Sequence, residues 1–314
     1  MRFLVLGPVE VHTGDGRVLT LSRRHERCML AILLLEPGRV VTTDRLCELL
    51  WEESRPSQAR QAVRSYAARI RGVLAAADGE HRVTLISDRG GYLLTVAPDA
   101  VDAHRFRLLL DRATHTDDLP ERDRLLREAL ALWRGPALHN AASGRVRDRI
   151  CADLDELRLH AIEESLAVGL ELGRHRDVLP ELARLTGEHP LRERIVELYM
   201  RGLYHAGRTA EALDVYTRTR TQLADQLGLD PGAALQRLHR TILRGEPLPI
   251  PPSVRPLDCN IAPAQLPADQ PGFSGRTDHL RQLDGVLTRA VQTAVVISGT
   301  AGVGKTTLAV HARR

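Results

Sequence analysis

The hydrophobic spacing changes twice within the first hundred residues, and this change limits the fold more than any other feature. Short alternating segments between glycine-containing turns predict strands at 2–6, 9–12 and 18–21. Apolar residues at helical spacing then predict helices at 23–35, at 43–51 and from Pro56 to about Ala77. Residues 82–96 return to strand spacing and turn near 88–91, as a β-hairpin does. The sequence therefore predicts a small domain of strands, three helices and a closing hairpin.

The connections between these elements are also predicted. Pro37 and Gly38 end the first helix, because proline and glycine cannot continue it without cost. Val40 and Val41 form a segment too short for more than an isolated bridge. Thr43 is expected to be the residue that caps the second helix.

Length and composition allow two or three domains with cores of ordinary size. The chain has 314 residues, of which 43% are hydrophobic and 27% are charged. No apolar run approaches the roughly 18 residues of a membrane span, and the N-terminus lacks the features of a signal peptide. We therefore expect a cytoplasmic protein with no membrane partner.

The sequence contains no pattern of a catalytic centre or a metal site in its first 270 residues. The thirteen histidines include no H-E-x-x-H motif, no serine lies in a G-x-S-x-G motif, and the four cysteines are scattered without a C-x-x-C pair. We therefore expect no catalytic residue, no metal ligand and no enzymatic activity, and we expect the cysteines to be buried or idle.

The chain divides into four segments by composition. The predicted strand-and-helix domain covers 1–99, and 100–246 is helical throughout, with leucine and alanine at three- and four-residue spacing. Leu172-Gly173-Arg174 and Ala206-Gly207-Arg208 lie 34 residues apart, which is typical of tetratricopeptide-like helix pairs. Residues 247–271 hold eight of the seventeen prolines and predict an extended linker, and 272–314 resume ordered structure.

The predicted third helix has an unusual distribution of charge. Five arginines and no acid lie between Ser54 and Ala77, although the signs are mixed elsewhere in the chain. The stripe expected to be buried consists of Val63, Ala67, Ile70 and Leu74. The residues expected to project away from it are Arg60, Arg64, Ser65, Ala68, Arg69 and Arg71. An acid-free, arginine-lined helix can approach nucleic-acid phosphates and guanine edges; the alternative is a solvated basic face.

Four further arginines are candidate contacts to a phosphate backbone. Arg82 and Arg89 lie in the predicted hairpin, and Arg89 stands beside two glycines at its tip. Arg23 and Arg24 lie at the N-terminus of the first helix, where backbone N–H groups also favour anions. The alternatives are an ordinary exposed turn for the first two and surface solubility for the others.

Residues 299–306 carry the complete G-x-x-x-x-G-K-[ST] phosphate-binding loop, and its Lys305 is the only lysine in the chain. An apolar segment at 294–298 precedes the loop, so a strand leads into it and a helix follows. The nucleotide-binding residues of this loop would be Gly299, Gly302, Gly304, Lys305, Thr306 and Thr307. The sequence shows no acidic strand after it to order Mg²⁺ or water, so we expect an incomplete site with negligible hydrolysis. ATP and Mg²⁺ would then be cofactors only in a longer parent protein.

The whole arrangement resembles the Streptomyces antibiotic regulatory proteins. In the first part the resemblance rests on Phe3–Pro8, Gly38–Val41, Asp44–Leu46, Leu50–Trp51, Tyr66, Arg69–Arg71, Gly91–Tyr92 and Val101–Asp102. In the helical part it rests on Ala131–Gly135, His189–Glu193, Gly207–Arg208 and Leu227–Gly232. Phe273–Arg276 and the phosphate-binding loop resemble the entry to an NB-ARC-type ATPase.

The resemblance implies a mainly α fold with a small β component. It consists of an OmpR-type winged helix-turn-helix, a tetratricopeptide-like bacterial transcriptional activation domain and the start of a P-loop α/β domain. The implied function is transcriptional activation of an antibiotic or secondary-metabolite gene cluster at the nucleoid. The implied partners are promoter DNA with direct repeats near the −35 region, RNA polymerase holoenzyme and a second copy on the DNA.

Two other functions remain open at this point. The phosphate-binding loop suggests an ATP-regulated switch in a longer parent protein, and the helical repeats suggest a protein-interaction scaffold. The absence of acids from the arginine-lined helix favours the DNA-binding interpretation over the scaffold.

Overall fold

Two small antiparallel sheets flank the first three helices. The structure, a computed structural model, describes residues 1–19, 21–51, 55–75, 83–142 and 144–248. The first sheet has the order β1-β2-β3 and consists of Arg2–Leu4, Glu10–His12 and Val18–Leu19. The second has the order β4-β6-β5, with β4 at Val41–Thr42, β5 at Thr84–Asp88 and β6 at Gly91–Thr95. The predicted hairpin is therefore confirmed, and it forms the wing of the domain.

The strand β4 corrects the sequence interpretation of its region. Val41 pairs with Tyr92 and Thr42 pairs with Gly91, so this segment is a short strand of the wing sheet and not an isolated bridge. The cap of the next helix is also displaced by one residue. Thr42 caps it by accepting a hydrogen bond from the Arg45 N–H, whereas the Thr43 hydroxyl donates to the Gly90 carbonyl. Thr43 thereby ties the helix start to the hairpin turn.

Three helices form the centre of this domain: α1 at Arg24–Leu35, α2 at Thr43–Leu50 and α3 at Ala59–Ala75. The stripe predicted for α3 is confirmed, because Val63, Ala67 and Ile70 are completely buried and Leu74 nearly so. This apolar stripe fixes the rotation of α3 about its own axis. The opposite face of the helix must therefore point to solvent.

The remaining described elements are helical. They are α4 at Asp102–Thr114, α5 at Leu119–Ala131, α6 at Gly144–Glu171, α7 at His175–Glu188, α8 at Glu193–His205, α9 at Thr209–Leu227 and α10 at Ala233–Leu243. One 3-10 turn, Pro98–Ala100, precedes α4. The mainly α class with a small β component is therefore confirmed for the part of the chain that the structure describes.

The 34-residue repeat corresponds to two similar helix pairs, α6–α7 and α8–α9. Each pair turns at a glycine with φ of +77°, Gly173 in the first and Gly207 in the second. The following arginine N–H donates to a carbonyl five residues earlier in both pairs, from Arg174 to Gly169 and from Arg208 to Leu203. Glycine adopts this left-handed backbone without the steric cost of a Cβ atom, which explains the repeated Gly-Arg pair in the sequence.

The winged part and the helical part share one continuous hydrophobic core, which runs from Phe3 to Val168. Polar contacts across the joint reinforce it. Arg27 donates through Nε and Nη2 to the Asn140 carbonyl at 3.0 and 2.8 Å, and the Asn140 side chain accepts from the Val9 N–H. The orientation of the first three helices is thus fixed against the helices that follow.

Several predicted features lie outside the described residues. These are the linker at 247–271 beyond Leu248, the segment 272–314, and the phosphate-binding residues Gly299, Gly302, Gly304, Lys305, Thr306 and Thr307. Three of the four cysteines are described, and Cys28, Cys47 and Cys151 are free and buried as expected.

Candidate nucleic-acid interface

The exposed face of α3 is the best candidate for contact with a nucleic acid. Gln61, Arg64, Ser65 and Ala68 are exposed along it, on the side opposite the buried stripe. Arg64 makes no ion pair or hydrogen bond with any residue that the structure describes, so its whole guanidinium group faces solvent. The Ser65 hydroxyl donates to the Gln61 carbonyl one turn earlier. Among the predicted arginines of α3, Arg64 is therefore the one without a described partner.

Arg60 is exposed as predicted, but a carboxylate pairs with it. Its Nε and Nη2 atoms donate to Asp44 Oδ1 at 3.2 and 2.9 Å, and Nη2 also lies 2.9 Å from Asp44 Oδ2. Arg55 approaches the same carboxylate at 3.5 Å. The Arg60 hydrogen bonds hold the pKa of Asp44 below its usual range. Both partners are more than half exposed, so such a pair stabilises the fold little and can exchange its partners.

The side chain of Arg69 pairs with a buried carboxylate of another helix. Its Nη1 donates to Glu26 Oε1 at 2.7 Å, and the Glu26 side chain is only 4% exposed, whereas that of Arg69 is 44% exposed. Glu26 lies in the first turn of α1, between residues of the hydrophobic core. A buried carboxylate is costly without a cation beside it, so Arg69 acts mainly to neutralise Glu26.

Arg71 connects α3 to the wing. Its Nε donates to the Leu85 carbonyl at 2.8 Å and its Nη2 to the Ser87 hydroxyl at 2.7 Å. The guanidinium carbon also lies 5.9 Å from the centre of the Tyr92 ring. Arg71 lies outside the buried stripe of α3, as predicted, but it is half-buried and its guanidinium group bonds to the hairpin instead of facing solvent. It positions the wing relative to α3.

The structure separates the four other predicted arginines. Arg89 is exposed at the hairpin tip, where it and Gly90 have φ angles of 44° and 79°, and Arg82 lies outside the described residues. Arg23 is 61% exposed and 3.9 Å from Glu26. Arg24 donates instead to the Ala141 carbonyl at 3.2 Å and so joins the two halves of the structure. The expectation of a phosphate contact fits the geometry of Arg89 and Arg23 better than that of Arg24.

Sequence reasoning missed the acids that surround α3. The window around the helix contains no acid, but Asp44 on α2 and Glu26 on α1 reach it from other elements. For Glu26 a signal existed, since an acid within a buried apolar stripe needs a cationic partner. For Asp44 no signal existed beyond its place in the first turn of a helix. Gln61, whose amide can read adenine, was also missed.

Three aromatic rings stack where α1, α2 and α3 meet. The His25 ring lies 5.5 Å from that of Trp51 and 5.9 Å from that of Tyr66, between centroids, and is nearly parallel to the second. Burial, with a smaller contribution from the charge of Arg24, lowers the pKa of His25. The stack therefore connects α1, the residue that follows α2, and α3.

The described residues hold no group of three or more histidine, cysteine or acidic side chains arranged to bind a metal ion. Within the same residues, no helix has the length and apolar content to cross a bilayer. The exposed face of α3 offers guanidinium, amide and hydroxyl groups, from Arg64, Gln61 and Ser65, for hydrogen bonding and charge attraction.

Comparisons with known proteins agree with this division into a winged and a helical part. Residues 16–94 match the family described as transcriptional regulatory protein, C terminal, and residues 101–243 match the bacterial transcriptional activator domain. The chain is 41% identical to regulatory protein AfsR of Streptomyces coelicolor across 99% of its own length and 32% of AfsR. It is 34% identical to regulatory protein DnrI of Streptomyces peucetius across 79% of its length and 93% of DnrI.

A solved structure shows the same fold over most of the chain. Mycobacterium tuberculosis EmbR, in complex with a low-affinity phosphopeptide, superposes with a TM-score of 0.73 and 33% identity, covering 79% of this chain and 66% of EmbR. The chain spans about a third of the length of the AfsR proteins that it matches.

Proposed function

Because the chain belongs to the Streptomyces antibiotic regulatory protein family, we propose that it is a sequence-specific, DNA-binding transcriptional activator of an antibiotic or secondary-metabolite gene cluster. The observation that carries the proposal is the exposed face of α3, where Arg64 is unpaired among the described residues. Arg71 braces the adjacent wing through Leu85 and Ser87. A helix and a wing held at a fixed angle can contact the major groove and the neighbouring backbone together.

The proposed site consists of direct repeats near the −35 region of a promoter, bound by two copies of the chain, which then recruit RNA polymerase holoenzyme in the cytoplasm. Arg64 and Arg89 supply phosphate contacts, and Gln61, Ser65 and Arg60 approach base edges. Polar side chains of this kind supply direct readout when a helix lies in the major groove.

We further propose that 272–314 resemble the entry to an NB-ARC-type nucleotide domain and that ATP and Mg²⁺ act only in a longer parent protein. The eight residues that follow Thr306 include no acid that could order Mg²⁺ or water, so these 314 residues should release no phosphate from ATP above background. A phosphate-release assay that compares the chain with its Lys305→Ala variant checks this.

Footprinting across the genes that neighbour the chain's own gene tests the principal proposal. The expected result is protection of a tandem repeat upstream of a promoter. In gel shifts, Arg64→Ala should bind that repeat more weakly, and its affinity should depend less on salt, with the logarithmic slope smaller by about one.

Arg218→Ala provides the control, because Arg218 is an exposed arginine on α9, away from α3, and pairs with Asp214. It should bind as the unaltered chain does. Equal affinity of the Arg64→Ala variant and the unaltered chain would instead favour a protein-interaction scaffold.

A further inference from the structure

The pairing of Arg60 with Asp44 leaves one edge of the guanidinium group open. The carboxylate lies beside Nε and Nη2, whereas Nη1 has no partner among the described residues. A guanidinium group has five N–H donors around a rigid plane. With its side edge held by Asp44, the end of the fork still presents donors to a second acceptor.

The surroundings of Arg60 leave room for such an acceptor. A shallow surface depression of about 700 Å³ opens at the start of α3, and Asp44, Arg55, Gln61 and Arg64 contribute to its walls. Arg64 follows Arg60 by one helical turn, so both side chains lie on one side of the helix. Anything that Arg64 contacts therefore lies close to Arg60.

Arg60 and Arg64 carry the same charge, but only Arg60 has a carboxylate beside it. Asp44 offsets the charge of Arg60, so a phosphate group gains less from Arg60 than from the unpaired Arg64. A base edge carries no net charge and loses little by the presence of a carboxylate. The O6 and N7 atoms of guanine are two acceptors that a guanidinium group contacts together in the major groove.

We propose that Asp44 and Arg60 act as one reading unit, in which Arg60 contacts a single guanine and Asp44 is the specificity-determining positioning residue. Asp44 favours one orientation of the guanidinium plane and weakens the attraction of Arg60 for phosphates of any sequence. This inference rests on the proposed DNA-binding function and names the residue pair that selects the sequence.

The test is selection from a randomised duplex library with the full chain and its variants, together with binding to a poly(dA-dT) duplex, which contains no guanine, at several salt concentrations. The unaltered chain should select a motif with a preferred guanine, and Arg60→Ala should lose that preference by about tenfold. Asp44→Asn should weaken the preference at the same position. It should also bind poly(dA-dT) several-fold more tightly, with a steeper salt dependence, since Arg60 is then free to bind phosphate.

Glu48→Gln is the matched control. Glu48 is also an exposed acid of α2, but it pairs with Arg45 at 3.4 Å, so its variant should select the original motif unchanged. All three altered side chains are exposed, and circular dichroism checks that each variant is folded.

An Asp44→Asn or Arg60→Ala motif identical to the original would overturn the inference and leave the proposed function intact. Failure of the unaltered chain to select any motif would refute the proposed function itself.

Discussion

The Oδ1 atom of Asp102 accepts a hydrogen bond from the backbone N–H of Val5 at 2.8 Å, although 97 residues separate the two in sequence. Its second oxygen accepts from the Val5 and Leu6 N–H groups at 2.9 and 3.0 Å. The first residue of α4 thus satisfies the backbone that follows β1. These bonds lie at the joint between the winged part and the helical part.

Replacement of Asp102 should weaken the whole structure. Asp102→Ala leaves the buried N–H groups of Val5 and Leu6 without an acceptor, which should lower the free energy of unfolding by about 2–3 kcal/mol. Urea denaturation followed by circular dichroism measures this change. Asp99→Ala, an exposed acid three residues away, should change it by less than about 0.5 kcal/mol. Equal effects of the two variants would contradict this account of the joint.

Removal of the Arg69 side chain should lower the stability of the protein more than it lowers the affinity for DNA. Arg69→Ala leaves the buried Glu26 carboxylate without its close partner, so the free energy of unfolding should fall by about 2 kcal/mol. The double variant Arg69→Met with Glu26→Leu removes both charges and should recover most of the loss. Thermal unfolding of the unaltered chain and the two variants tests this, and a double variant less stable than Arg69→Ala would contradict the assigned role of Arg69.

A methyl group at Gly91 should disturb the wing. The Cβ atom of an alanine there would clash with the Val41 carbonyl oxygen and would lie 2.8 Å from Val40 Cγ1. Since a backbone oxygen cannot move aside cheaply, Gly91→Ala should destabilise the protein by about 2 kcal/mol. The control Gly72→Ala lies in α3 with open space around it and should stabilise the protein by up to about 1 kcal/mol. Chemical denaturation distinguishes the two, and a neutral Gly91→Ala would show that β4 and β6 separate easily.

The ring stack should make stability depend on pH through His25. Burial lowers the pKa of this histidine in the folded state, so below about pH 6.5 the unfolded chain takes up a proton first. Its contribution to stability is therefore present above that pH and is lost as the pH falls towards the folded pKa.

His25→Phe cannot take up this proton, so it should lose less stability than the unaltered chain between pH 7.5 and pH 5.5. The comparison isolates His25 from His104, His205 and His239, whose pKa values burial also lowers. Melting temperatures at both pH values test the prediction, and parallel losses in the two proteins would contradict it.

Local spacing predicted the elements of the winged part well. The stripe of α3 and the turn of the hairpin depend on neighbouring residues, so their patterns are complete within short windows. The Gly-Arg pairs at 173–174 and 207–208 marked the repeated turns for the same reason. Boundaries were less certain, because Thr42 and Thr43 both have a side chain that can cap a helix and only the approach of Gly90 distinguishes them.

Charge pairing across the fold could not be predicted from the same windows. Asp44 and Glu26 come from other helices, and Arg24 reaches Ala141 across 117 positions of sequence. Arg71 carries the same charge as Arg64, yet it lies beside the hairpin and connects the hairpin to α3 by hydrogen bonds. The candidate interface is therefore narrower than the acid-free window indicates, and Arg64 and the Asp44–Arg60 pair are its principal charges.

The contacts of Arg27 with Asn140 and the shared core set the orientation of α3 relative to the helical half. The described contacts between the winged half and the helical half hold the two halves in one relative orientation. Two copies seated side by side on a duplex would consequently meet in one set orientation. The number of base pairs between their sites would then follow from the dimensions of the folded chain.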